Sequence, residues 1–92
     1  QAEVITVIRA LFNTRTNEWR TDGTSTVTGP GNFIDIHLGP SLLGTLIGTV
    51  EVDALGAWNF RAPGSTTLPN GATEVTVQST GGASITAPLR VR

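Results

Sequence analysis

The sequence predicts an all-β fold: two antiparallel sheets packed face to face as a sandwich of about seven strands. Two observations carry this expectation. Apolar residues alternate with a period of two along short runs, which turns one side of each run toward a core. Glycine and proline, 11 and 5 of the 92 residues, interrupt those runs roughly every 8 to 12 residues, the spacing of a chain folded as successive strands.

The first 22 residues contain neither glycine nor proline. Val4, Val7, Ile8 and Leu11 fit helical spacing as well as alternation. The unbroken β-branched run Val4 to Ile8 favours a pleated backbone, and no capping residue precedes it. A strand is therefore expected from Glu3 to Phe12, then a polar loop from Asn13 to Asn17, then a second strand from Glu18 to about Thr28. That second strand is read as continuous and kinked at Gly23, with a hairpin turn at Asp22-Gly23 as the alternative. Asn32 to Leu38 places Ile34, Ile36 and Leu38 on one face, read as inward, and Phe33, Asp35 and His37 on the other. Leu46, Gly48, Val50 and Val52 form a further alternating set. Ala57 to Arg61 brings Trp58 and Phe60 together, and Val75 and Val77 pair in the run Glu74 to Gln78. Ile85, Ala87, Leu89 and Val91 form the last strand. Pro88 has no amide donor, so this strand belongs at an edge or carries a bulge. The expected core is Trp58, Phe60, Ile34, Ile36, Val50, Val52, Val75, Val77 and Ile85, with no helix.

Residues 1–92 read as one domain, long enough to bury roughly 60 to 65% of the unfolded chain's surface. The chain has no cysteine and no lysine, which excludes disulfides, thiolate metal sites and lysine-based covalent chemistry. The net charge is −1, and the arginines at 9, 15, 20, 61, 90 and 92 are dispersed along the chain. Nucleic acid is not an expected partner, because phosphate binding relies on clustered cations. The longest apolar stretch, Leu42 to Val52, is interrupted by Gly44, Thr45, Gly48, Thr49 and Glu51, well short of the roughly 18 to 20 apolar residues of a membrane helix. Membrane insertion is not expected. The start at Gln1, with no signal-peptide pattern, reads as a domain excised from a longer protein.

Gly44 to Gly82 resembles the bacterial immunoglobulin-like repeats of surface proteins and adhesins. The residues that carry the resemblance are Asp53, Gly56, Trp58, Phe60, Leu68, Gly71, Val75 and Val77, and Gly23 to Leu38 is similar to the family's first half. The resemblance implies an immunoglobulin-like sandwich and a non-catalytic spacer role in a larger exported protein. It implies a location outside the cell, on its surface or in the periplasm, with neighbouring domains of the same polypeptide as partners. Many such repeats end in an aspartate-bearing segment that helps bind calcium. Here that segment is Ser79 to Ser84, without a carboxylate, so calcium is not carried over and no cofactor is expected.

Chemistry-bearing residues are few. Trp58, beside Phe60 at a two-residue spacing, reads as core. Trp19 has two readings: packing in the core or its rim, or standing exposed among Glu18, Arg20 and Asp22 as a binding anchor. In the second reading Trp19, Arg20 and Asn17 form a surface for a glycan or protein ligand, helped by the loops Asn13 to Asn17 and Pro63 to Asn70. The alternative functions are therefore a recognition module, or an accessory domain fused to a secreted enzyme or metalloprotein. His37 and Asp35 share a strand face, but a metal site needs about two further ligands. Ser41 or Ser65 with His37 lacks a nucleophile-elbow context, and no enzymatic activity is expected. Thr24, Thr26 and Thr28 read as a solvated strand face.

Overall fold

The computed structural model describes residues 3–42, 44–65, 68–69 and 71–92; Gln1, Ala2, Leu43, Thr66, Thr67 and Asn70 lie outside the described residues. The fold is all-β, with no helix among the described residues. Eight strands run in chain order: β1 (Ile5–Asn13), β2 (Glu18–Ser25), β3 (Phe33–Leu38), β4 (Leu46–Glu51), β5 (Ala57–Ala62), β6 (Glu74–Ser79), β7 (Ser84–Pro88) and β8 (Arg90–Val91). One four-stranded sheet has the order β5-β2-β1-β8 and the other β4-β3-β6-β7. We call them sheet A and sheet B.

Pairing is antiparallel throughout except between β1 and β8, which run parallel with Leu11 opposite Arg90 and Phe12 opposite Val91. The expected last strand is thus two strands. The chain runs along the edge of sheet B as far as Pro88, then crosses through Leu89 to the edge of sheet A. Pro88 sits at the crossing, where its missing N–H leaves no ladder bond unmade. The second strand also ends earlier than expected, at Ser25. Beyond it Thr26 Oγ1 accepts the Val4 amide at 2.9 Å, so Thr26 and Thr28 do not extend a threonine face.

Within β2 the chain passes straight through Gly23, as expected, with no turn at Asp22-Gly23. The reason is space. A Cβ at Gly23 would lie 1.9 Å from the Thr6 carbonyl oxygen and 2.7 Å from Trp58 Cζ2. The partner strand bulges at this level, its register shifting between Val7 and Arg9, which turns Ile8 outward. The Asp53 to Gly56 turn joins the two sheets. Asp53 Oδ1 accepts the amides of Leu55 at 2.8 Å and Ala57 at 2.9 Å, and Gly56 takes φ 87°, which a side chain rarely adopts.

The core lies between the sheets. Trp58, Ile34, Ile36, Val52, Val75 and Val77 are buried as expected, joined by Ile5, Ala10, Phe12, Trp19 and Leu89, with Val50 and Phe60 half-buried against them. The Phe60 ring occupies the place a Gly48 side chain would need, 2.3 Å from its Cβ position. Ile85 departs from expectation. It points inward by register, opposite Val77, but is 38% exposed. It lies on the edge strand of sheet B, and the facing edge strand of sheet A, β8, is two residues long and sits toward the other end.

A polar cluster closes the pole where β1 begins. The Glu3 carboxylate accepts hydrogen bonds from the Ser25 hydroxyl of sheet A, from the Ser79 hydroxyl of sheet B at 2.6 Å and from Asn32 Nδ2 at 2.9 Å. Burial works against ionisation of Glu3, but these three bonds outweigh it and hold its pKa below the ordinary value. A carboxyl whose folded pKa is depressed stabilises the fold above its unfolded pKa, near 4.3, and loses that contribution as pH falls through the folded value. Thermal melts should therefore show stability declining as pH is lowered from about 5 to about 3. Glu3→Gln should flatten part of that decline; an unchanged slope would mean the cluster does not form in solution.

Candidate interaction surface

Alternation along β2 sends Trp19, Thr21, Gly23 and Ser25 inward and Glu18, Arg20 and Asp22 to the outer face. Trp19 is 0% exposed, its ring centroid 4.7 Å from that of Phe12 at a 57° interplanar angle. The reading of Trp19 as an exposed anchor is corrected: it is a core residue that cannot touch a ligand on the surface of this fold.

Its two proposed companions are separated from it and from each other. Arg20 lies on the outer face of sheet A. There Glu18 receives a hydrogen bond from Arg61 Nε and lies 3.2 Å from Arg20 Nε. The Arg61 hydrogen bond lowers the Glu18 pKa most, with partial burial opposing it and the charges of Arg20 and Arg61 adding to the lowering. Asn17 is in the β1–β2 turn with φ 51°, a left-handed conformation that asparagine tolerates better than most residues.

The two loops singled out in the sequence do meet. Gly64 donates its amide to the Thr16 carbonyl at 3.1 Å, and Ser65 donates to that of Asn17 at 2.8 Å. Between these loops is an open cleft of about 550 Å³ whose rim includes Thr14, Asn17, Leu68, Pro69, Gly71 and Ala72, with Phe12 and Val91 below. Thr66, Thr67 and Asn70 of the second loop lie outside the described residues.

His37 and Asp35 sit on the outer face of sheet B with separate partners. His37 Nδ1 is 3.1 Å from the Gly44 carbonyl oxygen, and Asp35 Oδ1 accepts the Thr49 hydroxyl at 2.8 Å. Among the described residues no three His, Cys, Asp or Glu side chains come together as metal ligands.

Linear spacing does not reveal how the arginines are arranged. Each strand of sheet A contributes one: Arg9 from β1, Arg20 from β2, Arg61 from β5 and Arg90 from β8. Sheet B has no arginine in its strands, which carry Asp35, Glu51 and Glu74. Sheet A also carries Glu18 and Asp22, which pair with Arg9, Arg20 and Arg61, so its strands hold four arginines and two carboxylates against the three carboxylates of sheet B. The signal in the sequence was alternation, which turns Arg20 and Arg61 away from the core. Their adjacency came only with the strand order. Beside β8 an open groove of about 830 Å³ is bordered by Ile8, Arg9, Leu11, Arg90, Val91 and Arg92.

Comparison with family models, with curated proteins and with solved structures finds no match to this chain.

Proposed function

We propose that the chain is a non-catalytic immunoglobulin-like spacer module of a larger exported bacterial protein, acting outside the cell, on its surface or in the periplasm. The observation that carries this reading is the path of the chain. Glu3 is held at one pole by Ser25, Asn32 and Ser79, while Arg92 bonds to Phe12 and Thr14 at the opposite pole. Such a unit is threaded along its long axis, whose extent is 38 Å, so neighbours of the same polypeptide at each pole would stack end to end. Strand order adds support. In a seven-stranded immunoglobulin-like sandwich the first, second and fifth strands share one sheet and the third joins the sixth and seventh in the other, as β1, β2 and β5, and β3, β6 and β7, do here, while β4 pairs with β3 and not with β5. Two copies fused in tandem should give a particle whose maximum dimension in small-angle scattering exceeds that of one copy by roughly the 38 Å long axis. A tandem no longer than a single copy would defeat the spacer role.

A second reading, a module recognising a glycan or protein, is favoured by the cleft between the bonded loops. Leu68→Asp, at its rim, should abolish any hit on a glycan or protein array while leaving the thermal melt unchanged. Binding that survives this change would locate recognition elsewhere.

A further inference from the structure

The structure assigns a strand-addition site to the open half of β1. Strand β8 matches only Leu11 and Phe12, so among the described residues Ile5 to Ala10 is hydrogen-bonded to a strand, β2, on one side alone, while β7 of the other sheet approaches β1 without pairing with it. Two apolar side chains are left uncovered there: Ile8, 70% exposed at the bulge, and Ile85, 38% exposed although it points inward. The groove beside Ile8 is lined by Arg9, Arg90 and Arg92 against one carboxylate, Asp22. Arg9 is paired with Asp22 at 3.1 Å, while the guanidinium groups of Arg90 and Arg92 have no partner among the described residues.

These features together define the occupant. A strand laid beside Ile5 to Ala10 would extend sheet A through backbone hydrogen bonds, the general basis of peptide recognition at a sheet edge. Its side chains would alternate between two environments. Those turned inward meet Ile85 and want to be apolar; those turned outward meet Arg9, Arg90 and Arg92 and want to be acidic. The partner is an extended peptide segment of alternating apolar and acidic residues. A second copy of this chain fits poorly, because pairing β1 with β1 would bring both sets of arginines together. This site is independent of the spacer role.

The test uses three synthetic peptides with blocked ends: one alternating valine and glutamate, one alternating valine and lysine, and the first with alternate residues N-methylated. Each is titrated into isotope-labelled protein and followed by NMR and calorimetry. The glutamate peptide should bind with shifts concentrated in residues 5–10 and 84–92, and the other two should not. The double variant Arg90→Ala, Arg92→Ala should weaken binding roughly tenfold, as expected for loss of two exposed ion pairs, with an unchanged melting temperature. The proposal is overturned by no binding at millimolar glutamate peptide, by equal binding of the lysine peptide, or by shifts confined to the β4 or β5 edge. Concentration-dependent dimerisation through residues 5–10 would give the edge to a second copy instead and equally overturn it.

Discussion

Trp19→Ala should lower the free energy of unfolding by about 3 to 5 kcal/mol, the usual cost of deleting a large aromatic from a packed interior. Trp19 has no exposed surface and packs its ring on Phe12. The variant would keep neither this ring contact nor a way to fill the void, since its neighbours are held by two hydrogen-bonded sheets. A domain of this size has only about 5 to 10 kcal/mol to lose, so the variant should forfeit roughly half of its stability. Equilibrium denaturation in urea measures the difference directly, with Trp58→Ala, equally buried, expected to lose a similar amount. A change within about 0.5 kcal/mol, typical of surface positions, would return Trp19 to the surface and revive it as a binding anchor.

Gly23→Ala should be nearly as damaging despite adding one methyl group. The obstacle is the Thr6 carbonyl oxygen, 1.9 Å from the new Cβ, with Trp58 Cζ2 at 2.7 Å behind it. A backbone oxygen inside a ladder cannot rotate away, so β1 and β2 must separate or Trp58 must leave its place. Overpacking typically costs about 1 to 3 kcal/mol, and more when backbone is displaced; at least about 3 kcal/mol is expected here. Thr24→Ala, one residue along on the exposed face, serves as control and should change stability by no more than about 0.5 kcal/mol. If Gly23→Ala behaves like the control, the register pairing Val7 with Gly23 is not the one adopted in solution.

Much of the fold was legible in the chain because period-two alternation is a local property. Ile34 with Ile36, Val75 with Val77, and Trp58 with Phe60 declare a shared face within a few residues, and each pair turns inward. The Asp53 to Gly56 turn is likewise local, its hydrogen bonds from Leu55 and Ala57 and its positive φ at Gly56 all falling within four positions. Trp19 was not. Its strand offers Trp19 and Thr21 on one side and Glu18, Arg20 and Asp22 on the other, and the aromatic was open to either reading until Phe12 was placed beside it. Ile85 failed for the opposite reason. Its alternation is correct, but burial also requires a strand opposite, and β8 is too short to provide one.

The candidate surfaces divide in the same way. The loops at Asn17 and Pro63 could be named from their composition, but not their two hydrogen bonds to each other. Six dispersed arginines gave no hint that four would line one sheet.

The sequence by itself determined that this chain is all-β, which residues share a face in most strands, and where the chain turns, because those properties depend on neighbours a few bonds away. The tertiary structure decided the rest: that Trp19 is inside, that the last run serves two sheets, that the strand arginines gather on one sheet, and that Ile5 to Ala10 of β1 is hydrogen-bonded to a strand on one side alone among the described residues. Each of these depends on which strand lies beside which. That order is set by contacts between residues far apart in the chain, where alternation carries no information.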